Sequence, residues 1–539
     1  MRGTMMDFPL TLVHVLERVN KLFGKVEIVS RNPDKSIERG TYADVYRHSR
    51  ALAQALLKAG LRKGDRVATL MWNHQHHLEV YFGAPIAGGV VHTLNLRLHP
   101  ADVNFIARHA QDRFLIVDDV LLPLLEKCRG NAPFEKIIVV RHRNSTVELP
   151  PGMIDYQAFI TGPFDSFEYP AIDENDACGL CYTSGTTGQS KGVLYTHRST
   201  VLHSLCVMLP DSLGLRQRDS LLPVVPMFHV NAWGLPYACA LAGTKQVMPG
   251  PHLDAVNLLD LMQTEKVTVG AGVPTIWLGI LEALDKEPKR WSFQPGLRMV
   301  VGGSAAPQSL IRGLDKHGMR VQHAWGMTEM SPVGTVSELR SEMLQLPYDQ
   351  QLAKRAKQGP PVPFVETRAI DEQGHEVPWD GKSQGELHVR GPWIAASYYN
   401  QPEAQDRWTS DGWFKTGDVV TIDSDGFIEI TDRSKDLIKS GGEWISSVAL
   451  ENAIMGHPAV KEAAVIAVPH PRWGERPLAA VVLKPGAQVT PAELAAHLSK
   501  DFLKYQVPDA FEFIDAVPRT STGKFLKSAL RERYRNWQW

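Results

Sequence analysis

Over the first 300 residues, short β-branched runs alternate with longer segments whose apolar residues recur at a spacing of three and four. The runs at 26–30, 66–71, 114–117 and 136–140 predict strands, and the segments at 42–58 and 120–127 predict helices. Neither kind of element buries its apolar face alone, so repeated β and α units require sheets layered against helices. The rhythm resumes beyond residue 192, with helices expected at 254–265 and 276–286 and strands at 267–270 and 298–301. From about 360 it gives way to short strands at 385–390, 413–416, 419–422 and 427–431, with Asp423-Ser424-Asp425-Gly426 as a hairpin turn. A second change, after residue 432, introduces helices near 447–455, 491–503 and 523–534. A chain of 539 residues exceeds what one core serves. The expected fold is α/β: a large N-terminal domain of layered α/β sheets at 1–432 with a β-rich subdomain at about 360–432, then a small mobile α+β C-terminal domain at 433–539.

Composition removes several classes of function. Lys and Arg total 58 against 59 Asp and Glu, so no global field draws the chain to nucleic acid or an anionic membrane. No stretch approaches the ~18 apolar residues of a spanning helix, and the apolar segment 9–19 carries His14, Glu17 and Arg18. A cytoplasmic protein is expected. The five cysteines, an odd number in a large chain, argue against a disulfide framework. Cys178 and Cys181 have CxxC spacing, but on a strand positions i and i+3 face opposite ways, so buried inert thiols are expected there.

The strongest chemical signal runs from Tyr182 through Thr183, Ser184, Gly185, Thr186, Thr187, Gly188, Gln189, Ser190 and Lys191 to Gly192. Hydroxyls and glycines follow a strand, so backbone N–H groups can approach an anion, hydroxyls can donate to it and Lys191 adds charge. A polyphosphate suits this loop, and the absence of a Gly-Lys-Ser/Thr triplet separates it from a Walker loop. Farther along, Trp325-Gly326-Met327-Thr328-Glu329 sets an aromatic face, a hydroxyl and a carboxylate within five residues. Gly302-Gly303-Ser304-Ala305-Ala306-Pro307 follows an expected strand; it fits either a flat base lying on backbone or a tight strand-to-helix turn.

In these motifs the chain resembles the superfamily of adenylate-forming enzymes: acyl-CoA synthetases, peptide-synthetase adenylation domains and beetle luciferases. TSGTTGQSKG at 183–192, WGMTE at 325–329, TGD at 416–418, DRSKDLIKSGGEWIS at 432–446 and PRTSTGK at 518–524 stand in that family's order. VPMFHVNAW at 225–233 and SKDLIKSGGEWISSVALENAIMGHP at 434–458 are most similar to bacterial fatty acyl-CoA synthetases of the dimeric, long-chain kind.

The resemblance implies an ATP-dependent ligase that activates a medium- or long-chain acid as acyl-AMP and then forms acyl-CoA, using ATP, Mg²⁺ and coenzyme A. It implies that Thr183, Ser184, Gly185, Thr186, Thr187, Gly188 and Lys191 hold phosphates, and that Gly302, Gly303, Ser304, Trp325 and Gly326 frame the adenine. Thr328 would contact the α-phosphate, Glu329 with Thr183 would hold Mg²⁺, Asp418 would take the ribose, and Arg433 would reach the same sugar or a phosphate. Tyr is more usual where Trp325 stands; the stacking face is kept and the hydroxyl is lost. Lys524 would bridge the substrate carboxylate and α-phosphate, and Lys435 would be the hinge about which the C-terminal domain turns. Gly441, Gly442, Glu443 and Trp444 would meet CoA, while His229, Trp233, Gly302 and Gly326 border the acyl site with Trp233 as its gate. A homodimer is implied as well, with the apolar Met5, Met6, Phe8 and Leu10 as the expected contact. A short-chain, thioether or branched acid, a carrier protein as acyl acceptor, and a non-catalytic nucleotide-binding protein are the alternatives.

Overall fold

The structure, a computed structural model, describes the chain apart from Arg2, Pro163, residues 184–189, Ser434, Gly442, Ser521 and Thr522. Two large sheets dominate the N-terminal part. In one, seven strands run in the order Met153–Asp155, Lys136–Val140, Asp112–Asp118, Arg66–Leu70, Val90–Thr93, Ala177–Tyr182, Gly192–Thr196, parallel except for the last pair. In the other, eight strands run Val333–Val336, Arg320–Gly326, Arg298–Val301, Val269–Gly272, Ser220–Pro223, Lys245–Met248, Glu27–Arg31, Ile37–Thr41, antiparallel only at the two outer pairs.

The alternation of side chains along each strand explains the layering. Phe114 and Ile116 face a central core, while Leu115 and Val117 face an outer one, and all four are fully buried. In the other sheet Val300 joins the same central core and Met299 and Val301 the opposite outer core. Burial on both faces is why these strands read as unbroken apolar runs. The helices Leu12–Phe23, Tyr42–Lys58, Gln75–Ile86 and Leu235–Ala242 fill the space between the sheets with Leu16, Leu52, Phe82 and Tyr237. Thr41 starts the second of these with a reciprocal capping box to Asp44.

The β-rich region forms a four-stranded antiparallel sheet, Glu366–Ile370, Gly385–Arg390, Phe414–Ile422 and Ile428–Arg433. The two strands expected at 413–416 and 419–422 are one strand: Gly417, at φ +75°, turns the backbone without ending the ladder. The C-terminal sheet comprises Glu443–Ile445, Ile438–Ser440, Gly474–Leu483, Val460–His470 and Ala510–Phe513, with the helices Ser447–Met455, Pro491–Leu498 and Lys527–Arg533. The last helix begins at Lys527, so Lys524 lies in the preceding loop rather than in the helix. All five cysteines are free and buried. Among the described residues no helix is long and apolar enough to cross a membrane.

Candidate functional site

Two adjoining cavities open where the large sheets, the four-stranded sheet and the C-terminal region meet. The first takes Gly303, Ser304, Trp325, Asp418 and Arg433 on one side and Thr520, Gly523, Lys524, Lys527 and Arg531 on the other. The second takes Thr183, Lys191, His229, Trp233, Thr328 and Glu329. Gly303, Trp325, Gly326, Arg433, Lys435 and Lys524 line both. Motifs spread over more than 300 residues of sequence therefore converge on one space.

Trp325 is the penultimate residue of the strand Arg320–Gly326, at a register shift, and its indole N–H donates to Asp418 Oδ2 at 3.0 Å. The N–H thus makes a hydrogen bond that the sequence comparison of Trp with Tyr did not anticipate. Arg433 Nε stands 3.4 Å from the other carboxylate oxygen, and both Trp325 and Asp418 are buried. Asp418 is aimed by its own turn, in which its N–H donates to Thr416 Oγ1 while that hydroxyl donates to Leu387 O. Gly326 has a structural reason to be glycine: a Cβ there would come within 1.9 Å of Pro332 O.

Thr328 and Glu329 occupy a short 3₁₀ turn pinned by Tyr195 Oη donating to Thr328 O at 2.6 Å and Ala395 N–H donating to Glu329 O at 2.7 Å. Tyr398 Oη donates to Glu329 Oε1 at 2.6 Å, and Lys191 Nζ lies 4.8 Å from the Tyr398 ring centre. Tyr398 escaped the sequence reading because the Ser397-Tyr398-Tyr399-Asn400 stretch has no motif of its own. The buried Glu329 carboxylate, which lines the second cavity beside Lys191, suits Mg²⁺, a hard cation that prefers oxygen. Thr183 Oγ1, which accepts from Lys191 N–H at 3.0 Å, keeps a lone pair for the same ion. Ser184, Gly185, Thr186, Thr187 and Gly188, expected to hold phosphate, lie outside the described residues.

Lys524 enters from the C-terminal region, its Cε 3.4 Å from where a Cβ on Gly303 would sit. Burial, reinforced by Arg433 and opposed by Asp418 and Glu329, pulls its ammonium down to about 8. Burial, with the Lys524 and Arg97 cations, pulls His229 down to about 3, so its imidazole is neutral at physiological pH.

The segment after His229 has an unusual backbone. Val230, Asn231, Ala232 and Trp233 have φ of +46°, +50°, +48° and +59°, and Gly234 continues at +69°. This is one left-handed turn, a conformation disfavoured for L-residues and most so for β-branched Val. It places the buried Trp233 ring over Gly302, where a Cβ would meet Cη2 at 3.1 Å.

The structure does not bring the expected CoA loop to these cavities. Gly441 and Glu443 are exposed, Trp444 packs under Lys439 Nζ at 4.6 Å, and none of the three lines either cavity. Gly442 lies outside the described residues. Asp432, just before the expected hinge at Lys435, accepts from Ser447 N–H at 2.8 Å and Ser447 Oγ at 2.6 Å, and Lys527 pairs with Glu451 at 2.8 Å.

The AMP-binding enzyme family model matches residues 16–399, and the AMP-binding enzyme C-terminal domain model matches 449–524. A long-chain-fatty-acid–CoA ligase of Thermus thermophilus is 49% identical, covering 99% of this chain and 97% of that protein. A medium-chain-fatty-acid–CoA ligase of Ectopseudomonas oleovorans is 44% identical over 99% of this chain and 98% of its own length. A 3-methylmercaptopropionyl-CoA ligase of Ruegeria lacuscaerulensis is also 44% identical, over 99% of each chain. Among solved structures, the anthranilate CoA ligase AuaEII in complex with anthranoyl-AMP superposes with a TM-score of 0.86 at 26% identity, over 99% of each chain. ATP-bound MatB from Rhodopseudomonas palustris does so at 0.80 and 26% identity, over 98% of this chain and 99% of its own. With two family models matched in order and relatives of this identity along the whole length, the chain belongs to the AMP-binding enzyme family.

Proposed function

We propose that this protein is an ATP-dependent fatty acid–CoA ligase acting on a medium- or long-chain acid. The observation that carries the reading is the convergence of Lys524, Glu329, Lys191 and the Trp325–Asp418 pair on one space beside an apolar wall headed by Trp233. The enzyme uses ATP, Mg²⁺ and CoA. Asp418 accepts from the ribose hydroxyls, its second oxygen oriented by the Trp325 indole, and the Trp325 face stacks on adenine. Lys524 bridges the substrate carboxylate and the α-phosphate, so that a carboxylate oxygen attacks phosphorus in line and pyrophosphate leaves. Thr328 donates to the α-phosphate and Lys191 balances the departing pyrophosphate charge. Mg²⁺, when bound at Glu329 and Thr183, offsets phosphate charge. In the second half-reaction the CoA thiolate attacks the acyl carbonyl and AMP leaves.

Because Lys524 lies in the cavity while Gly441, Glu443 and Trp444 lie outside it, this geometry suits adenylation. Thioester formation then requires residues 433–539 to turn against residues 1–432, with the backbone of Lys435 absorbing the rotation. Trp233 closes the acyl tunnel. The protein works in the cytoplasm as a homodimer, for which the exposed Met5, Met6 and Phe8 supply apolar contact.

A short thioether acid is the second reading, favoured by the 3-methylmercaptopropionyl-CoA ligase at the same 44% identity as the medium-chain enzyme. Acids of two to eighteen carbons and a thioether acid, assayed as AMP release with and without CoA, decide between them. The fatty-acid reading expects kcat/KM to rise into the medium- and long-chain range and AMP release to need CoA. Trp233→Ala, if its melting temperature shows a folded protein, should improve long acids relative to short ones. Equal loss at four, ten and sixteen carbons would make Trp233 a packing residue only.

A further inference from the structure

Three neighbouring parallel strands of the seven-stranded sheet, Arg66–Leu70, Asp112–Asp118 and Lys136–Val140, end side by side. Their carboxyl ends deliver His74, Asp118 and His142 to one point, where loops of adjacent parallel strands always meet. His74 Nε2 is 2.8 Å from Asp118 Oδ1, His142 Nε2 is 3.6 Å from Asp118 Oδ2, and the ligand atoms of all three lie within 4.8 Å of one another. The side chains are 4%, 0% and 7% exposed, so the cluster is an interior one. It belongs to no part of the adenylation machinery described above.

We propose that His74, Asp118 and His142 form a transition-metal site, of the kind that takes Zn²⁺, tying together the ends of these three strands. Two imidazoles and a carboxylate with a fourth position for water are a donor set that Zn²⁺ accepts. An ion about 2.1 Å from each ligand holds tetrahedral donor atoms about 3.4 Å apart, between the 2.8 Å and 3.6 Å that separate Asp118 from the two imidazoles and inside the 4.8 Å that bounds the group. Among the described residues, His142 Nε2 is buried without a hydrogen-bond partner and stands beyond hydrogen-bond distance of the carboxylate it faces; His74 Nδ1 is unpartnered on the other ring. An ion between the rings and Asp118 gives the His142 nitrogen a partner. Asp118 is oriented for this by Trp72 N–H, which donates to its Oδ2 at 2.8 Å, as outer-shell donors orient metal carboxylates.

A second histidine cluster close by serves as the internal control. Glu79 accepts from His48 and Gln75 on one oxygen and from His76 and Tyr156 on the other, at 2.8–2.9 Å. Its four hydrogen bonds saturate both oxygens, so it reads as a closed network rather than an ion site.

The test uses the full-length protein stripped with a chelator, free of nucleotide, and titrated with Zn²⁺ alone against a chromophoric competitor. The wild type should retain one more equivalent of Zn²⁺ per chain than His142→Asn, whose affinity at this site should fall by about 100-fold or more. His76→Gln should keep that equivalent, and Co²⁺ should give ligand-field absorption in the wild type that His142→Asn lacks. X-ray absorption on wild-type protein with one equivalent of Zn²⁺ makes the test independent of variant folding, and should show imidazole and carboxylate donors without sulfur. Equal Zn²⁺ retention by the wild type and a folded His142→Asn, or a Zn²⁺ edge without imidazole scattering, would overturn the site and leave a His74–Asp118 hydrogen bond with His142 packed beside it.

Discussion

In the proposed reading, Lys524 concentrates the chemistry at the level of single residues, because one ammonium would stabilise charge that exists fully only in the transition state. Lys524→Ala should slow acyl-AMP formation by roughly 10²-fold or more while barely changing thioester formation from supplied acyl-AMP; equal losses in both half-reactions would refute its assignment. A lysine is charged below its pKa, and this one is pulled down to about 8. The kcat/KM for ATP in the adenylation step should therefore fall as pH rises through about 8, and Lys524→Arg should carry that fall to higher pH. Trp325 yields a second expectation from its indole N–H on Asp418. Trp325→Phe keeps a stacking face but frees the carboxylate, so discrimination between ATP and 2′-deoxy- or 3′-deoxy-ATP should weaken by roughly tenfold, the scale of one hydrogen bond to a charged group. Unchanged discrimination would mean that Asp418 needs no help. The ordered motifs made both residues legible in the sequence, but their bond was not: 93 positions separate them, and side-chain contact across such a distance is set by sheet packing rather than by local pattern. Tyr398 and the His74–Asp118–His142 cluster stayed hidden for the same reason.

Elements were more readable than contacts. The helices at 42–58 and 447–455 and the strands at 136–140, 298–301 and 385–390 fall where periodicity put them. Misses concentrate where backbone conformation departs from what apolar spacing records. Gly417 fuses two expected strands, the 491 helix stops at Leu498, and the segment before the last helix makes an isolated bridge between Arg519 and Phe525 instead of a first turn. The left-handed turn at 230–234 carries no sequence signal except Asn231 and Gly234, the two residues that tolerate it best. In the proposed reading, domain rotation belongs to one short element, the junction that holds Lys435. Lys435→Pro fixes φ there and should slow the CoA-dependent step by at least tenfold with acyl-AMP formation nearly unchanged, an expectation checked by measuring pyrophosphate and thioester release separately. Normal rates in both would move the hinge elsewhere.

For the whole molecule, layering followed from alternation, whereas the meeting of two sheets on a shared central core did not, since no local pattern says which strands share a sheet. The quaternary expectation is the least local of all: light scattering at micromolar concentration should return twice the 59.9 kDa chain mass, and removal of residues 1–8 should shift it toward the single-chain value. A monomer for the intact chain would sink it. The turn beneath Trp233 also bears on the balance of the entire fold. Four non-glycine residues held left-handed cost about 1–2 kcal/mol each, together a sizeable share of the about 5–15 kcal/mol by which native proteins are stable. The surrounding cores hold that turn in place against its own preference, much as a latch holds a compressed spring. If Trp233 gates the acyl site as proposed, an acyl chain that displaces the indole would have only to loosen the latch, because the backbone itself favours leaving. Selectivity for chain length is thereby tied to how tightly the core is packed around residues 230–234, and substitutions that soften that packing should broaden the range of acids accepted before they threaten the fold.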